Sequence, residues 1–350
     1  MVTIKDVAAR AGVNPSTVSR VLKDNTSISR STKDKVRKAM ADLGYVPNVA
    51  AQMLASGLTF NVGLVFPPLL TPDRLSEPFF MQILSTITSE AKKKDFTVSI
   101  ATGMTVGELE DQVELMHRQK RVDGFIILYS DSEDPVRRYL MDNHMPFVIV
   151  GCPDGFENDI TYIDNDNQLM GKMAVDYLYQ KGHRRIIFVT DDLNSRISSE
   201  RFLGYQKGID ELHLKSSHSL LFDRRDPTIL TYFIDTILEE KPTALVVIGD
   251  VISVRLMQLL SFYNLKVPDD ISIITFNDST YATLLHPYLT SFDINVSNLG
   301  RTSLHQLLIL IKTPHSTTAE RIIVPFILKE RESVRILPSN IIGDNETPLK

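Results

Sequence analysis

The chain has 350 residues, of which 43% are hydrophobic and 23% charged, and its formal net charge is −5. This composition excludes a disordered or fibrous chain and allows two or three domains, each with its own core. No apolar run reaches the roughly 18 to 20 residues that a membrane-spanning helix needs, and residues 1–10 do not resemble a signal peptide. We therefore expect a cytoplasmic protein with no membrane contact, in agreement with its single cysteine, Cys152.

The charge is divided unevenly along the chain. Residues 1–58 hold nine Lys and Arg residues against four acidic residues, a net charge of +5, and the remaining residues carry −10. A small basic segment ahead of a large acidic one indicates that the basic segment binds nucleic acid.

Residues 1–46 have the pattern of a small all-α domain. Thr3 begins a capping box ahead of apolar residues at helical spacing, and Gly12 is expected to end this first helix. Asn14 is a favourable N-cap for a second helix, and Pro15 is a favourable first residue because its missing N–H costs nothing there. The proline therefore starts a helix.

A third helix is predicted to end at Gly44, with either Ser29 or Ser31 as its N-cap. Three short helices with a tight turn between the first two predict a helix-turn-helix, although any small three-helix domain would show similar apolar stripes. The small polar residues and Arg20 on the outward side of the second helix favour DNA binding, because the start of a recognition helix enters the major groove.

Residues 3–22, TIKDVAARAGVNPSTVSRVL, and residues 32–48, TKDKVRKAMADLGYVPN, closely resemble the N-terminal domain of the LacI/GalR family of bacterial transcription regulators. The resemblance implies that Pro15, Ser16 and Arg20 face base edges, while Thr17 and Ser19 serve phosphates and packing. The full set of DNA-contacting positions that it implies is Thr3, Asn14, Pro15, Ser16, Thr17, Ser19, Arg20, Ser29, Asn48, Ala51 and Leu54.

Residues 47–59 follow a helix-stopping proline and contain too few residues for a helix that is stable alone in water. By themselves they read as an interdomain linker. The family resemblance implies instead a hinge helix that folds only on operator DNA, with Leu54 as an apolar wedge in the minor groove.

Residues 60–340 alternate short apolar runs with amphipathic segments. Such alternation predicts parallel sheets covered by helices on both faces. The runs fall into two sets of four, namely residues 62–66, 96–101, 122–129 and 146–151, and residues 185–190, 244–249, 271–276 and 289–292. The predicted fold is therefore a helix-turn-helix head followed by an α/β body of two doubly wound parallel-sheet subdomains, with a ligand cleft between them.

The resemblance extends over this body to about Arg335 and implies the fold of periplasmic sugar-binding proteins. It divides residues 60–340, the ligand-binding and dimerisation domain, into subdomain one (about 60–160 and 293–322) and subdomain two (about 161–292 and 323–340). The implied ligand-binding residues are Phe79, Phe80, Asp164, Asp166, Arg201, Asp250 and Asn277. These types suit a sugar, because an Arg fork and carboxylates match vicinal hydroxyls and aromatic faces cover the apolar side of the ring.

Within the family, the stretches at residues 78–80, 128–135, 164–167 and 292–295 look most like those of the maltose-operon repressors of low-GC Gram-positive bacteria. The same residues would also be explained if they only pack the region between subdomains. We expect a homodimeric repressor that binds double-stranded operator DNA and is relieved by maltose or a maltodextrin. The alternatives are another sugar, or a phosphoprotein corepressor of the carbon-catabolite type.

The sequence argues against two other classes of protein. A cytoplasmic sugar-capture protein would have no reason to carry residues 1–58. An enzyme would need a catalytic constellation, and the chain contains no GxGxxG, Walker, G-x-S-x-G or HExxH motif. The sequence therefore predicts a protein that is not an enzyme and that uses neither a cofactor nor a metal.

Overall fold

The structure is a computed structural model, and it describes residues 2–22, 24–46, 53–54, 56–68, 77–131, 133–215, 218–313 and 318–338. Its contacts divide the chain into two compact units, Met1–Thr59 and Phe60–Lys350. Each unit has its own hydrophobic core.

Within residues 2–46, the described part of the first unit's head contains the helices α1 (Ile4–Ala11), α2 (Pro15–Leu22) and α3 (Arg30–Leu43). Gly12 ends α1 and Gly44 ends α3, with φ angles of 67° and 60°. A glycine is favoured there because a side chain is strained in the left-handed conformation. Both predicted helix ends are confirmed. The N-cap of α3 is Ser29, whose Oγ accepts a hydrogen bond from the N–H of Thr32 at 3.3 Å.

The core of the head is built from two residues of each helix. The spacing of these residues brings them onto the inner face of the three-helix arrangement. They are Val7, Ala8, Val18, Val21, Val36 and Ala39, each at most 4% exposed.

Within the described residues, the second unit contains two six-stranded sheets. The first consists of β1 (Asn61–Val65), β2 (Thr97–Ala101), β3 (Phe125–Ile127), β4 (Phe147–Val150), β5 (Tyr162–Asp164) and β11 (Arg321–Ile323). Its strand order is β11-β5-β4-β3-β1-β2, and all neighbouring pairs are parallel.

The second sheet consists of β6 (Ile186–Thr190), β7 (Ser219–Leu221), β8 (Ala244–Val247), β9 (Ser272–Phe276), β10 (Thr290–Asp293) and β12 (Ile327–Lys329). Its strand order is β12-β10-β9-β8-β6-β7. The pairs are parallel except for β10 and β12, which are antiparallel.

Helices connect the strands of both sheets. Those that connect or pack on the first sheet are α4 (Pro78–Lys92), α5 (Val106–Arg118), α6 (Pro135–Asp142) and α11 (Val296–Lys312). Those of the second are α7 (Asn167–Gln180), α8 (Arg196–Glu211), α9 (Pro227–Glu240) and α10 (Asp250–Phe262). Helices α7 and α8 cross closely at Gly171 and Gly204, and this approach requires glycine at both positions. A Cβ at Gly204 would collide with the carbonyl of Gln168, and one at Gly171 with the carbonyl of Arg201.

The predicted fold class is confirmed, and each of the eight predicted apolar runs contains a strand. Four strands were not predicted: β5, β7, β11 and β12. Each has three residues; β5 and β7 are only partly buried and β11 and β12 have no buried residue, so none produces a continuous apolar run.

The chain passes between the sheets three times, at residues 165–166, 294–295 and 324–326, which we call the three crossovers. The expected subdomain boundary at about residue 160 therefore shifts to Asp164. Strand β5 pairs with β4 in the first sheet, so the first crossover follows Asp164. The boundary at residue 322 is also too early by one residue, because Ile323 pairs with Asp164 in the first sheet.

Candidate functional site

The outward side of α2 carries the residues predicted to face DNA bases. Pro15, Ser16 and Arg20 are exposed, whereas Val18 is fully buried in the core of the head. The carbonyl of Asn14 accepts a hydrogen bond from the N–H of Val18 at 3.2 Å, so the helix begins directly after Asn14. The structure therefore brings these predicted base-reading residues together on one helix start.

The predicted phosphate contacts lie near helix starts. Thr3 and Ser29 are the exposed N-caps of α1 and α3, and Thr17 and Ser19 are half-buried on α2. Thr3 and Asp6 form a capping box: Oγ1 of Thr3 accepts from the N–H of Asp6 at 3.4 Å, and Oδ2 of Asp6 accepts from the N–H of Thr3 at 2.8 Å. Hydrogen bonds from the backbone and side chain of Thr3 lower the pKa of Asp6. Helix starts favour anions because their N–H groups and dipole present positive charge.

The three predicted contacts of the linker are described only in part. Leu54 is 90% exposed, which leaves its whole side chain available for contact. Asn48 and Ala51 lie outside the described residues.

In the second unit, a cleft of about 1100 Å³ runs between the two subdomains. One wall comes from the first subdomain and includes Phe79, Phe80 and Tyr129. The other comes from the carboxyl ends of strands in the second sheet, where doubly wound folds bind their ligands. Its members include Arg196, Ser198, Arg201, Asp223, Arg225, Asp250, Arg255 and Asn277.

The wall of the first subdomain is aromatic. Helix α4 begins at Pro78, which places Phe79 and Phe80 in its first turn at the cleft. The two rings pack edge to face with centroids 5.4 Å apart, and Phe80 also lies 5.5 Å from Phe66. This wall presents an apolar ring surface to the cleft.

Arg201 forms part of the opposite wall and is 5% exposed. Its Nε donates to Oδ1 of Asn167 at 3.0 Å, and its guanidinium lies over the ring of Phe276, 4.4 Å from the centroid. Burial lowers the pKa of Arg201 to about 10, although the carboxylates of Asp164 and Asp250 oppose this shift. The guanidinium is therefore charged at neutral pH and held in one orientation.

Asp250 and Asn277 provide acceptor atoms beside Arg201. Asp250 is the first residue of α10, and its carboxylate accepts hydrogen bonds from the N–H groups of Val251 at 2.9 Å and Ser279 at 2.8 Å. Burial raises the pKa of Asp250. Asn277 has a φ of 67°, and its buried Oδ1 has no hydrogen-bond partner among the described residues. A buried acceptor without a partner is costly unless a ligand donates to it.

The prediction that Asp164 and Asp166 contact the ligand is corrected by their positions, because neither residue lines the cleft. Both oxygens of Asp164 accept hydrogen bonds from protein groups, among them the N–H of Cys152 at 2.9 Å. Burial raises the pKa of Asp164 to about 6. Asp166 is exposed and caps α7 by accepting from the N–H of Leu169 at 2.8 Å.

Sequence reasoning missed much of the charged lining. Asp223 and Arg225 follow β7, a strand too short to be predicted, and they pair with each other at 3.0 Å. Arg196 is the first residue of α8, and its Nη2 lies 2.9 Å from Oε1 of Glu200. The buried Nε of Arg196 has no hydrogen-bond partner among the described residues. Arg196 could have been found from its place shortly after the predicted strand 185–190, where cleft residues are expected.

Residues 3–48 match the model described as bacterial regulatory proteins, lacI family, and residues 175–334 match that of a periplasmic binding protein-like domain. The chain is 33% identical over 336 residues to the HTH-type transcriptional regulator MalR of Staphylococcus xylosus, which covers 95% of this chain and 98% of that protein. The chain belongs to the lacI family of bacterial regulatory proteins. The predicted family is confirmed.

Two solved structures resemble this lacI-family regulator over 95% of its length. One is the transcriptional regulator CelR–cellobiose complex, with a TM-score of 0.71, 26% identity and 100% of that chain covered. The other is the lac repressor dimer bound to operator and the anti-inducer ONPF, with a TM-score of 0.73, 25% identity and 99% of that chain covered. In the described part of this regulator, no helix is long and apolar enough to cross a bilayer.

Proposed function

We propose that this lacI-family regulator is a cytoplasmic homodimeric repressor of a sugar-utilisation operon. Its heads bind a near-palindromic operator, and maltose or a maltodextrin bound in the cleft lowers the affinity for that operator. The observation that carries the sugar assignment is the pairing of an aromatic wall, Phe79 and Phe80, with buried polar groups on the opposite side, Arg201, Asp250 and Asn277. Aromatic faces cover the apolar side of a sugar ring, while the polar groups bind its hydroxyls.

The head is suited to base reading by one strong contact. Arg20 is exposed on α2 and can donate two hydrogen bonds to a guanine, a discrimination of about 1–3 kcal/mol. Pro15 offers only apolar contact, so its selectivity is weaker. Ser16 is assigned with Pro15 and Arg20 to base edges, whereas Thr3, Asn14, Thr17, Ser19 and Ser29 are assigned to backbone contacts and to the fit of α2. One such head reads few base pairs, and linking two heads in a dimer raises affinity through effective concentration.

Leu54 is assigned to the minor groove at the centre of the operator, with Asn48 and Ala51 beside it. Its 90% exposure leaves a large apolar side chain without a cover among the described residues, and an apolar wedge gains a cover by inserting between base pairs.

The charges of the cleft favour an uncharged ligand. Among the described residues, eight acidic side chains and five arginines line it. Arg225 is paired with Asp223, and Arg201 donates to Asn167 and to the carbonyl of Ile248. Asp278 and Asp293 are compensated by Lys329 and Arg331 behind the lining, so the site still has no net positive charge to offset a phosphate, and neutral maltose or maltodextrin fits better.

The operator is first selected from random DNA with the full chain, and its affinity is then measured by gel shift with and without maltose or maltotriose. We expect either sugar to weaken operator binding at millimolar concentration, with glucose 6-phosphate without effect. Unchanged affinity over the millimolar range would refute the proposed inducer. Cellobiose is included because the structure of CelR with cellobiose resembles this chain, and a response to it alone would assign another sugar.

The carbon-catabolite alternative makes a different prediction. A regulator that depends on a phosphoprotein corepressor should bind its operator weakly when purified, and no sugar should weaken that binding further. Tight operator binding by the purified chain that maltose releases would exclude this alternative.

A further inference from the structure

One side chain joins the three crossovers. Asn165 lies in the first crossover and is 5% exposed. Its Nδ2 donates to the carbonyl of Ile294 in the second crossover at 3.0 Å and to the carbonyl of Val324 in the third at 2.8 Å. Two carbonyl partners require the NH₂ end of the amide, so the orientation of Asn165 is determined by its contacts. We call this arrangement the hinge clamp.

Asp164 holds the hinge clamp in place. Its Oδ1 accepts from the backbone N–H of Asn165 at 2.7 Å, and its Oδ2 accepts from that of Cys152 at 2.9 Å. Its own carbonyl accepts from the N–H of Val324 at 2.7 Å. The first and third crossovers are therefore joined by backbone as well as side-chain hydrogen bonds.

Asn167 connects this carboxylate to the cleft. Its Nδ2 lies 3.1 Å from each oxygen of Asp164, and its Oδ1 accepts from Nε of Arg201 at 3.0 Å. Asn167 is 6% exposed, so its amide is shielded from water and bridges a buried carboxylate and a buried guanidinium. Hydrogen bonds thus run without interruption from Arg201, on the cleft wall, to all three crossovers.

We propose that the hinge clamp is the fixed point about which the two subdomains rotate, and that Asn167 and Asp164 transmit to it the position of Arg201. A ligand that shifts the guanidinium of Arg201 alters the amide of Asn167, and through it the carboxylate that orients Asn165. Because these groups are buried, losing any one bond is costly, so they move together. Asn165, Asn167 and Asp164 are positioning residues. The transmission rests on the proposed function of the cleft, whereas the hinge clamp does not.

The hinge clamp is tested without ligand, by backbone hydrogen exchange of the full chain. Asn165→Ala removes both donors, and we expect exchange about tenfold faster in peptides covering residues 294–296 and 324–326, with β8 unchanged. The matched control is Asn143→Ala, which removes an exposed amide bonded to the carbonyl of Tyr139 at 2.8 Å and should leave those peptides unchanged.

Asn165→Ser keeps one donor and serves if the alanine variant does not fold; its effect should be smaller but in the same peptides. Exchange at the crossovers equal to that of the unsubstituted protein would overturn the hinge clamp. An equal acceleration in β8 would overturn it as well, because it would show only global destabilisation.

Transmission is tested with maltotriose as the probe. For Asn165→Ala we expect maltotriose to bind with a dissociation constant within about threefold of the unsubstituted value, while its effect on operator affinity falls about tenfold. A variant that retains the full effect would overturn the transmission. If maltotriose does not bind the unsubstituted protein, the proposed function fails, and the exchange experiment still decides the hinge clamp.

Discussion

The ammonium of Lys329 lies 2.6 Å from Oδ2 of Asp278 and 2.8 Å from Oδ2 of Asp293. Oδ1 of Asp278 lies 2.7 Å from Nη2 of Arg331. The Asp278 side chain is only 7% exposed. These contacts attach the last strand of the second sheet, β12, to the segment that follows its inner strand β9, so the sheet depends on ion pairs at this edge.

Asp278→Asn should destabilise the second unit by about 2 kcal/mol, because the largely buried guanidinium of Arg331 loses its carboxylate while Lys329 keeps that of Asp293. The measurement is urea unfolding followed by circular dichroism. The control is Glu114→Gln, which breaks an exposed pair with Arg118 at 2.9 Å and should cost less than about 1 kcal/mol. Similar losses in both variants would contradict the assignment.

The same carboxylate makes stability depend on pH. Burial alone would raise the pKa of Asp278, but hydrogen bonds from Lys329, Ser291 and Arg331 outweigh burial and hold it below the ordinary value of 3.8. Its contribution is therefore complete above that value and is lost as pH falls through the folded-state pKa. The difference in unfolding free energy between Asp278→Asn and the unsubstituted protein should shrink as the pH is lowered from neutral to strongly acidic. A constant difference would be inconsistent with the lowered pKa.

Replacing the two kinds of basic residue in the head should have different effects. Arg20→Ala should relax base preference at one operator position, at a cost of about 1–3 kcal/mol for the preferred base. Lys35→Ala should weaken binding to all sequences alike and reduce the slope of affinity against salt by about one. Binding to a randomised operator library at several salt concentrations distinguishes them. An unaltered preference profile in Arg20→Ala would mean that another face of the head reads the bases.

Asn277→Gly should separate ligand affinity from folding stability. It removes a buried acceptor that has no hydrogen-bond partner among the described residues, so maltotriose affinity should fall by about 1–2 kcal/mol. Stability of the ligand-free protein should not fall, because glycine accepts the φ of 67° and the substitution removes the unpartnered buried oxygen. Isothermal titration and urea unfolding measure the two quantities. Asn264→Gly, at an exposed position with a φ of 59°, is the control and should leave affinity unchanged.

Gly204→Ala should destabilise the second unit by about 1–3 kcal/mol, because the added methyl group would collide with the carbonyl of Gln168 on α7. Gly107, in the exposed part of α5, has open space around it, and Gly107→Ala should stabilise by about 0.5–1 kcal/mol. Thermal unfolding compares the two. Equal and small effects would show that α7 and α8 can separate without cost.

The sequence predicted the elements whose pattern is local. Helix ends at Gly12 and Gly44, and strands with continuous apolar runs, depend on residues close together in the chain. Strands β7, β11 and β12 have too few buried residues to form such a pattern, and their pairing is decided by distant segments. For the same reason Asp223 and Arg225 were missed.

Residues 164–167 show why binding residues are harder to predict from sequence than secondary structure is. Their polar side chains suggested a ligand-binding role, but a run of Asp and Asn does not reveal which groups of the protein will hydrogen-bond to them. Asp164 is engaged by the N–H groups of Cys152 and Asn165, and Asp166 by that of Leu169, so their carboxylates serve the fold. Among the acidic positions proposed for the cleft, only Asp250 lines it.

The three crossovers also impose an order on synthesis at the ribosome. Until residues 296–323 have emerged, the first sheet lacks both its edge strand β11 and helix α11, which packs on that sheet. By then five strands of the second sheet have already left the exit tunnel, and only β12 remains. Neither subdomain can be completed before nearly the whole chain is made, so the body is expected to mature late, and chaperones would meet a first sheet with five of its six strands and an open edge.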